Sequence, residues 1–227
     1  MGTQLSWLAS QPHLQKVVIA GNHDVLFDQQ FLDTHQDRFP VSPGNAKENL
    51  DFGDIVYLEN SSTTLTFPFH GDRKLKIYGS PLTPKSFDSA FHYPKDHDAW
   101  EGQDRSDIDI LITHGPPWGH LDGNLRYGCQ YLAHAVSQWR PRLHVFGHIH
   151  VGYGRELVRY DSARRNYEDV QRGWAGWEAV ASMATSVAWS NVRRRLTNRR
   201  DQVTEHINAA VVDQHGSLVN EAMVTYV

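Results

Sequence analysis

Apolar residues fall in short runs along this chain, and several of the runs stop dead at a turn-forming residue. Lys16–Ala20 (KVVIA) is continuous and β-branched, which predicts a buried strand, and Gly21 ends it. Asp107–Ile112 (DIDILI) predicts a strand running into Thr113-His114, and Leu143–Phe146 (LHVF) one running into Gly147. Further strands are predicted at Ile55–Leu58, Thr63–Phe67 and Leu75–Tyr78, with a turn at Gly71-Asp72. Helical spacing appears over 25–38, where Leu26, Phe27, Phe31 and Leu32 share a side and Pro40 stops the run. It recurs over 128–139, with Cys129, Leu132, Val136 and Trp139 on one stripe and Pro141 beyond. Leu5 and Leu8 read as the tail of an amphipathic helix at the N-terminus. At the other end, Ile207–Val212 and Leu218–Val227 predict two strands flanking a hairpin turn at 213–216. Residues 161–205 predict a helical insertion, with Trp174, Trp177 and Trp189 as packing anchors. Strands alternating with helices and then pairing predict one α/β sandwich domain over residues 1–227.

Composition narrows this little. A chain of 227 residues that is 40% hydrophobic can bury a sizeable core. A formal charge of −4 gives no reason to expect a nucleic-acid partner. The local excess between Asn191 and Asp201, five arginines against one aspartate, reads as a solvated helix face. Cys129 is the single cysteine, so no intrachain disulfide forms, and a reducing, cytoplasmic setting fits. No run is long enough to cross a bilayer, and the N-terminus lacks the basic start and apolar stretch of a secretory signal.

The chemistry gathers where strands end. Gly21-Asn22-His23-Asp24 follows KVVIA: glycine permits a sharp exit, Asn22 offers a neutral oxygen to a metal, and His23 is of a residue type suited to proton transfer. Asp24 can orient that ring. The same letters also suit a plain strand-to-helix turn with Asn and Asp as caps. Thr113-His114-Gly115-Pro116-Pro117 places a histidine on a rigid strand exit stiffened by prolines. Gly147-His148-Ile149-His150 offers two imidazoles that can serve neighbouring metals, with Ile149 facing the core. Taken alone, Thr113-His114 reads more simply as a loop histidine satisfied by backbone, and His148 and His150 can be two unrelated loop histidines. Trp118, His120 and Tyr153 are candidates for shaping a pocket.

In this order the three motifs resemble the calcineurin-like metallophosphoesterase superfamily. Gly79-Ser80-Pro81, Arg140–Phe146 and Gly152-Tyr153-Gly154 narrow the resemblance to its metallophosphoesterase-domain branch, whose members are phosphodiesterases acting on cyclic nucleotides. It extends over about residues 5–160 and the strand near Asn208–Val212. The resemblance implies a four-layer sandwich, two mixed sheets with helices outside. It implies that Asn22, His114 and His148 ligate one divalent metal and His150 a second, drawn from manganese, iron or zinc. It makes His23, oriented by Asp24, the acid for the leaving alkoxide, and a small phosphate ester such as a cyclic nucleotide the substrate.

The family pattern also includes an Asp-x-His and a Gly-Asp motif ahead of the Gly-Asn-His motif. The twenty residues before Gly21 hold neither. Asp33-Thr34-His35 lies in a helical stretch, Gly53-Asp54 follows no clear strand, and a hairpin turn explains Asp213-Gln214-His215. A complete zinc site is worth about 10–16 kcal/mol, roughly 3–4 kcal/mol per ligand. The expectation is therefore an N-terminally truncated domain, impaired as a hydrolase, holding at most one ion weakly, with the KVVIA edge unpaired. A non-catalytic binding module on a phosphoesterase surface is the alternative.

Overall fold

Four parallel strands end side by side, and two of them run into the Thr113-His114 and Gly147-His148 motifs, while the Gly21-Asn22 motif follows a strand of a separate pair. A computed structural model describes residues 2–40, 47–197, 203–213 and 215–227. In chain order it contains α1 (Gly2–Ala9), β1 (Lys16–Ile19), α2 (Gln29–Thr34), β2 (Ile55–Leu58), β3 (Ser61–Phe67), β4 (Arg73–Ser80), β5 (Thr83–Pro84), β6 (His92–Tyr93), β7 (Ile110–Thr113), α3 (Gln130–Trp139), β8 (Leu143–Phe146), β9 (Gly154–Arg159), α4 (Ser162–Arg172), α5 (Trp177–Thr197) and β10 (Val203–Asn208). One six-stranded sheet runs β3-β4-β7-β8-β10-β9. Its inner strands β4, β7, β8 and β10 are parallel, and β3 and β9 close the edges antiparallel. β1 and β2 form a separate parallel pair, in which β1 has no second strand partner among the described residues.

The period-two alternation of each strand splits the sheet into two faces. On one face Ile77, Leu65 and Leu58 pack with Val17, Ile19, Ile110 and Ile112, which joins the small sheet to the large one. On the other, Tyr78, Leu111, Leu132, Val136, Trp139 and Tyr160 form a core beneath α3. The arrangement is an α/β sandwich, a mixed sheet flanked by helices. Close contact between the sheets depends on Gly79, where a Cβ would come within 2.5 Å of Leu58 Cβ and 2.7 Å of Ile19 Cγ2.

Several expected elements differ. The helix expected over 25–38 is a 3-10 turn (Val25–Phe27) followed by the short α2. Asp28 breaks it: the residue is extended, and its side chain accepts from Phe31 N–H, capping α2 rather than continuing the earlier turn. Residues 218–227 do not form a strand. A single antiparallel bridge joins Val212 and Leu218, and the rest is irregular. The stretch 161–205 contains α4, α5 and the start of β10. Trp174, 43% exposed, packs against the Tyr131 and His134 rings of α3 and the Arg172 guanidinium; Trp177 and Trp189 are not packing anchors, being 86% and 68% exposed, because Ala179 is the only buried residue among 177–189 of α5. Arg199 and Arg200 lie outside the described residues.

Candidate functional site

β1 and β7 end on different sheets, yet their exits meet. Asn22 Oδ1 lies 2.8 Å from His114 Nε2, and the Asn22 backbone N–H lies 3.3 Å from the same nitrogen. Gly21 is what lets them approach, since a Cβ there would stand 2.7 Å from His114 Cε1 and 2.9 Å from Nδ1. The His148 ring sits 4.6 Å from that of His114, centroid to centroid. The exit of β8 is bound to that of β7 by Gly147 N–H donating to His114 O at 3.0 Å.

The turn after β8 is tight. His148 has φ +65°, a left-handed conformation that costs a non-glycine residue roughly 1–2 kcal/mol. His150 is turned aside, its Nδ1 2.7 Å from the carbonyl of Asp213. A carbonyl only accepts, so Nδ1 donates this hydrogen bond. Ile149, expected in the core, is half-buried and lines the cleft.

His23 is exposed, one residue beyond the buried Asn22. The Asp24 carboxylate accepts from Gly21 N–H at 2.7 Å, so it fixes the turn that presents His23. Burial, followed by the neighbouring His148, His23 and His92, holds His114 down to about 3. Burial and then His92, His150 and His23 hold His148 down to about 4. Both imidazoles are neutral near pH 7, so each ring keeps one unprotonated nitrogen.

A cleft of about 500 Å³ opens beside these groups, lined by Asn22, Thr83, Phe87, His92, Tyr127 and His148 among others. Sequence reading missed His92. Its Nδ1 donates to Phe87 O at 2.7 Å, and its buried Nε2 finds no hydrogen-bond partner among the described residues. No motif marked it, because β6 is two residues long.

Of the three residues expected to shape a pocket, none lines this cleft. His120 is 1% exposed and lies between Glu156 and Glu168. Trp118 stacks under Arg126, and Tyr153 lines a different, shallower recess. Asp54 pairs with Lys16 at 2.8 Å, His35 with Asp88 at 2.7 Å, and the Asp213 carboxylate accepts from His215 and Ser217 N–H. No group of three or more His, Cys, Asp or Glu placed to hold a metal occurs among the described residues. The donors that do converge, an amide oxygen and two neutral imidazoles, suit a borderline divalent ion but bring no negative charge.

Residues 3–152 match the family model for calcineurin-like phosphoesterase. The chain is 44% identical over 178 residues to a protein of Emericella nidulans named "Probable rhamnogalacturonate lyase C", covering 77% of this chain and 16% of that protein. It is 40% identical over 164 residues to human metallophosphoesterase domain-containing protein 1, covering 65% of this chain and 48% of the relative. It is 34% identical over 161 residues to UPF0046 protein T07D4.2 of Caenorhabditis elegans, covering 61% and 39%. The chain thus spans half or less of the length of these relatives.

Proposed function

The chain belongs to the calcineurin-like phosphoesterase family, and from that premise we propose that the cleft beside Asn22, His114 and His148 takes a small phosphate ester for hydrolysis. The observation that carries the reading is the 2.8 Å approach of Asn22 Oδ1 to His114 Nε2 across 92 residues of sequence, beside a second neutral imidazole. Two such donor atoms turned on one point suit a shared cation. Asn22, His114 and His148 would hold one ion and His150 a second, with manganese, iron or zinc matching mixed nitrogen and oxygen donors. When bound, a divalent ion supplies Lewis-acid polarisation of the phosphoryl group.

The chain's own residues supply the rest. His23, exposed one residue beyond Asn22, delivers a proton to the departing alkoxide oxygen. Asp24 acts on His23 through the turn, by fixing Gly21 N–H. Phe87 and Tyr127 give the cleft an apolar wall for the organic part of a phosphodiester, with a cyclic nucleotide within its volume. The donor set is neutral, so the ion is held weakly and turnover is slow. A second reading rests on that same neutrality: the cleft binds phosphate esters without hydrolysing them.

Calorimetric Mn²⁺ titration together with hydrolysis of bis(p-nitrophenyl) phosphate tests this. His114→Ala should weaken Mn²⁺ binding by about tenfold or more. His23→Ala should leave Mn²⁺ binding intact and lower kcat by about 10²–10⁴-fold. Mn²⁺ uptake and ester binding with no turnover would favour the binding module. A wild-type chain that neither takes up Mn²⁺ nor binds the ester would sink both readings.

A further inference from the structure

Asn208 ends β10 directly beside the exit of β8, with Phe146 as its register partner. It is fully buried, and its amide bridges three segments of the chain. Nδ2 donates to Ile149 O and to Leu121 O, each at 2.9 Å. Oδ1 accepts from Ala210 N–H at 3.1 Å. Ile149 is the residue between His148 and His150, and its carbonyl also accepts from Gly152 N–H at 3.0 Å. A Cβ on Gly152 would stand 2.7 Å from Asn208 Nδ2 and 1.8 Å from Leu121 O, so the turn is closed onto this side chain.

The reach of Asn208 extends to both imidazoles. Through Ile149 O it pins the peptide that follows the left-handed His148. Through Ala210 N–H it starts the segment whose Asp213 carbonyl takes the His150 Nδ1 proton. A hydroxyl cannot span two carbonyls and an amide N–H, and an aspartate would set an anion against both carbonyls.

We propose that Asn208 is a positioning residue that fixes the orientation of the His148 and His150 rings, and through them the cation-binding geometry of the cleft. The cation part rests on the phosphoesterase reading; the ring orientation does not. The test uses the full chain with ¹⁵N-labelled histidine rings, Mn²⁺ alone as the titrant, and the variants Asn208→Asp, Asn208→Ala and, as a control on the same strand, Ile207→Val.

In Asn208→Asp and Asn208→Ala the ring resonances of His148 and His150 should move while those of His35 and His134 stay. Mn²⁺ affinity should fall by about 10–100-fold, and Ile207→Val should change neither. Should both Asn208 variants fail to fold, the wild-type chain decides: the Asn208 side-chain amide protons must exchange slowly and show hydrogen-bond couplings to the carbonyls of Ile149 and Leu121. Unmoved rings in the variants, or fast exchange of those protons, overturn the proposal. A wild-type chain that takes up no Mn²⁺ while the rings still move in Asn208→Asp overturns the cation reading and upholds the positioning role.

Discussion

Two groups of histidines sit close together on this sheet and are wired in opposite ways. At the strand exits, His114 and His148 face an amide oxygen and each other, and no carboxylate joins them among the described residues. One row below, His144 and His206 stand side by side in register on β8 and β10, and His120 stacks on His206 at 4.8 Å. Charge enters that lower group through His120, while the buried Nδ1 atoms of His144 and His206 find no hydrogen-bond partner among the described residues. His120 Nδ1 meets Glu156 at 3.1 Å and Nε2 meets Glu168 at 3.2 Å, while Glu168 also takes Arg164 and Arg172. The lesson is that burial alone does not mark a histidine as functional. Where carboxylates answer both ring nitrogens, as at His120, a histidine fastens α4 to the sheet through Glu168. Where the neighbours are neutral, nitrogens remain for something that arrives from outside.

The largest test of this contrast is Glu168→Ala. It leaves the Arg172 side chain, 1% exposed, and His120 short of their shared anion. Urea unfolding should show a loss of about 3–5 kcal/mol, with Mn²⁺ affinity of the cleft little changed. A large fall in Mn²⁺ affinity at unchanged stability would erase the distinction between the two groups.

Acidity probes it next. Burial pushes His144 and His206 well below 6.5, so the unfolded chain binds protons there before the native one does. Stability should therefore fall as pH drops below about 6.5, by up to about 3 kcal/mol at pH 5.5 for the pair. His120 has the opposite sign: burial lowers it, but hydrogen bonds to Glu156 and then Glu168 outweigh burial and leave it raised. Its contribution is complete below about 6.5 and is lost as pH climbs through the raised native value. The urea midpoint against pH should therefore pass through a maximum near 6.5 and fall on both sides.

The smallest effect tests the link between the two rows. Thr113 Oγ1 donates to Gly115 O at 2.8 Å and so must accept from His144 Nε2, also at 2.8 Å. Thr113→Val strands that imidazole N–H and should cost about 2 kcal/mol by thermal or urea unfolding. Equal losses in wild-type and His144→Phe backgrounds would show that the hydroxyl does not work through His144.

Much of this was legible beforehand for a definite reason. Strands such as IVYL and LHVF are short apolar runs stopped by turn residues, and Ile55–Leu58 and Leu143–Phe146 form where the pattern put them. Asn22 and His114 could be grouped from the sequence because each lies just past a strand, three residues beyond β1 and one beyond β7. What stayed hidden depends on tertiary partners. Asp28 looked like an ordinary helix residue until its side chain capped α2. His144 and His206 are single letters in strands of 4 and 6 residues, and nothing local says that they meet. His120 was read as a pocket residue because its two carboxylates lie 36 and 48 positions away.

Asn22 hangs from the small sheet and His114 from the large one, so any guest gripped by both acts as a rivet between two layers that otherwise meet through apolar side chains. Occupancy then adds to the work of prising those layers apart, in proportion to the logarithm of guest concentration over its dissociation constant. The melting behaviour of the chain thereby becomes a gauge of what the cleft has captured, readable without any knowledge of turnover.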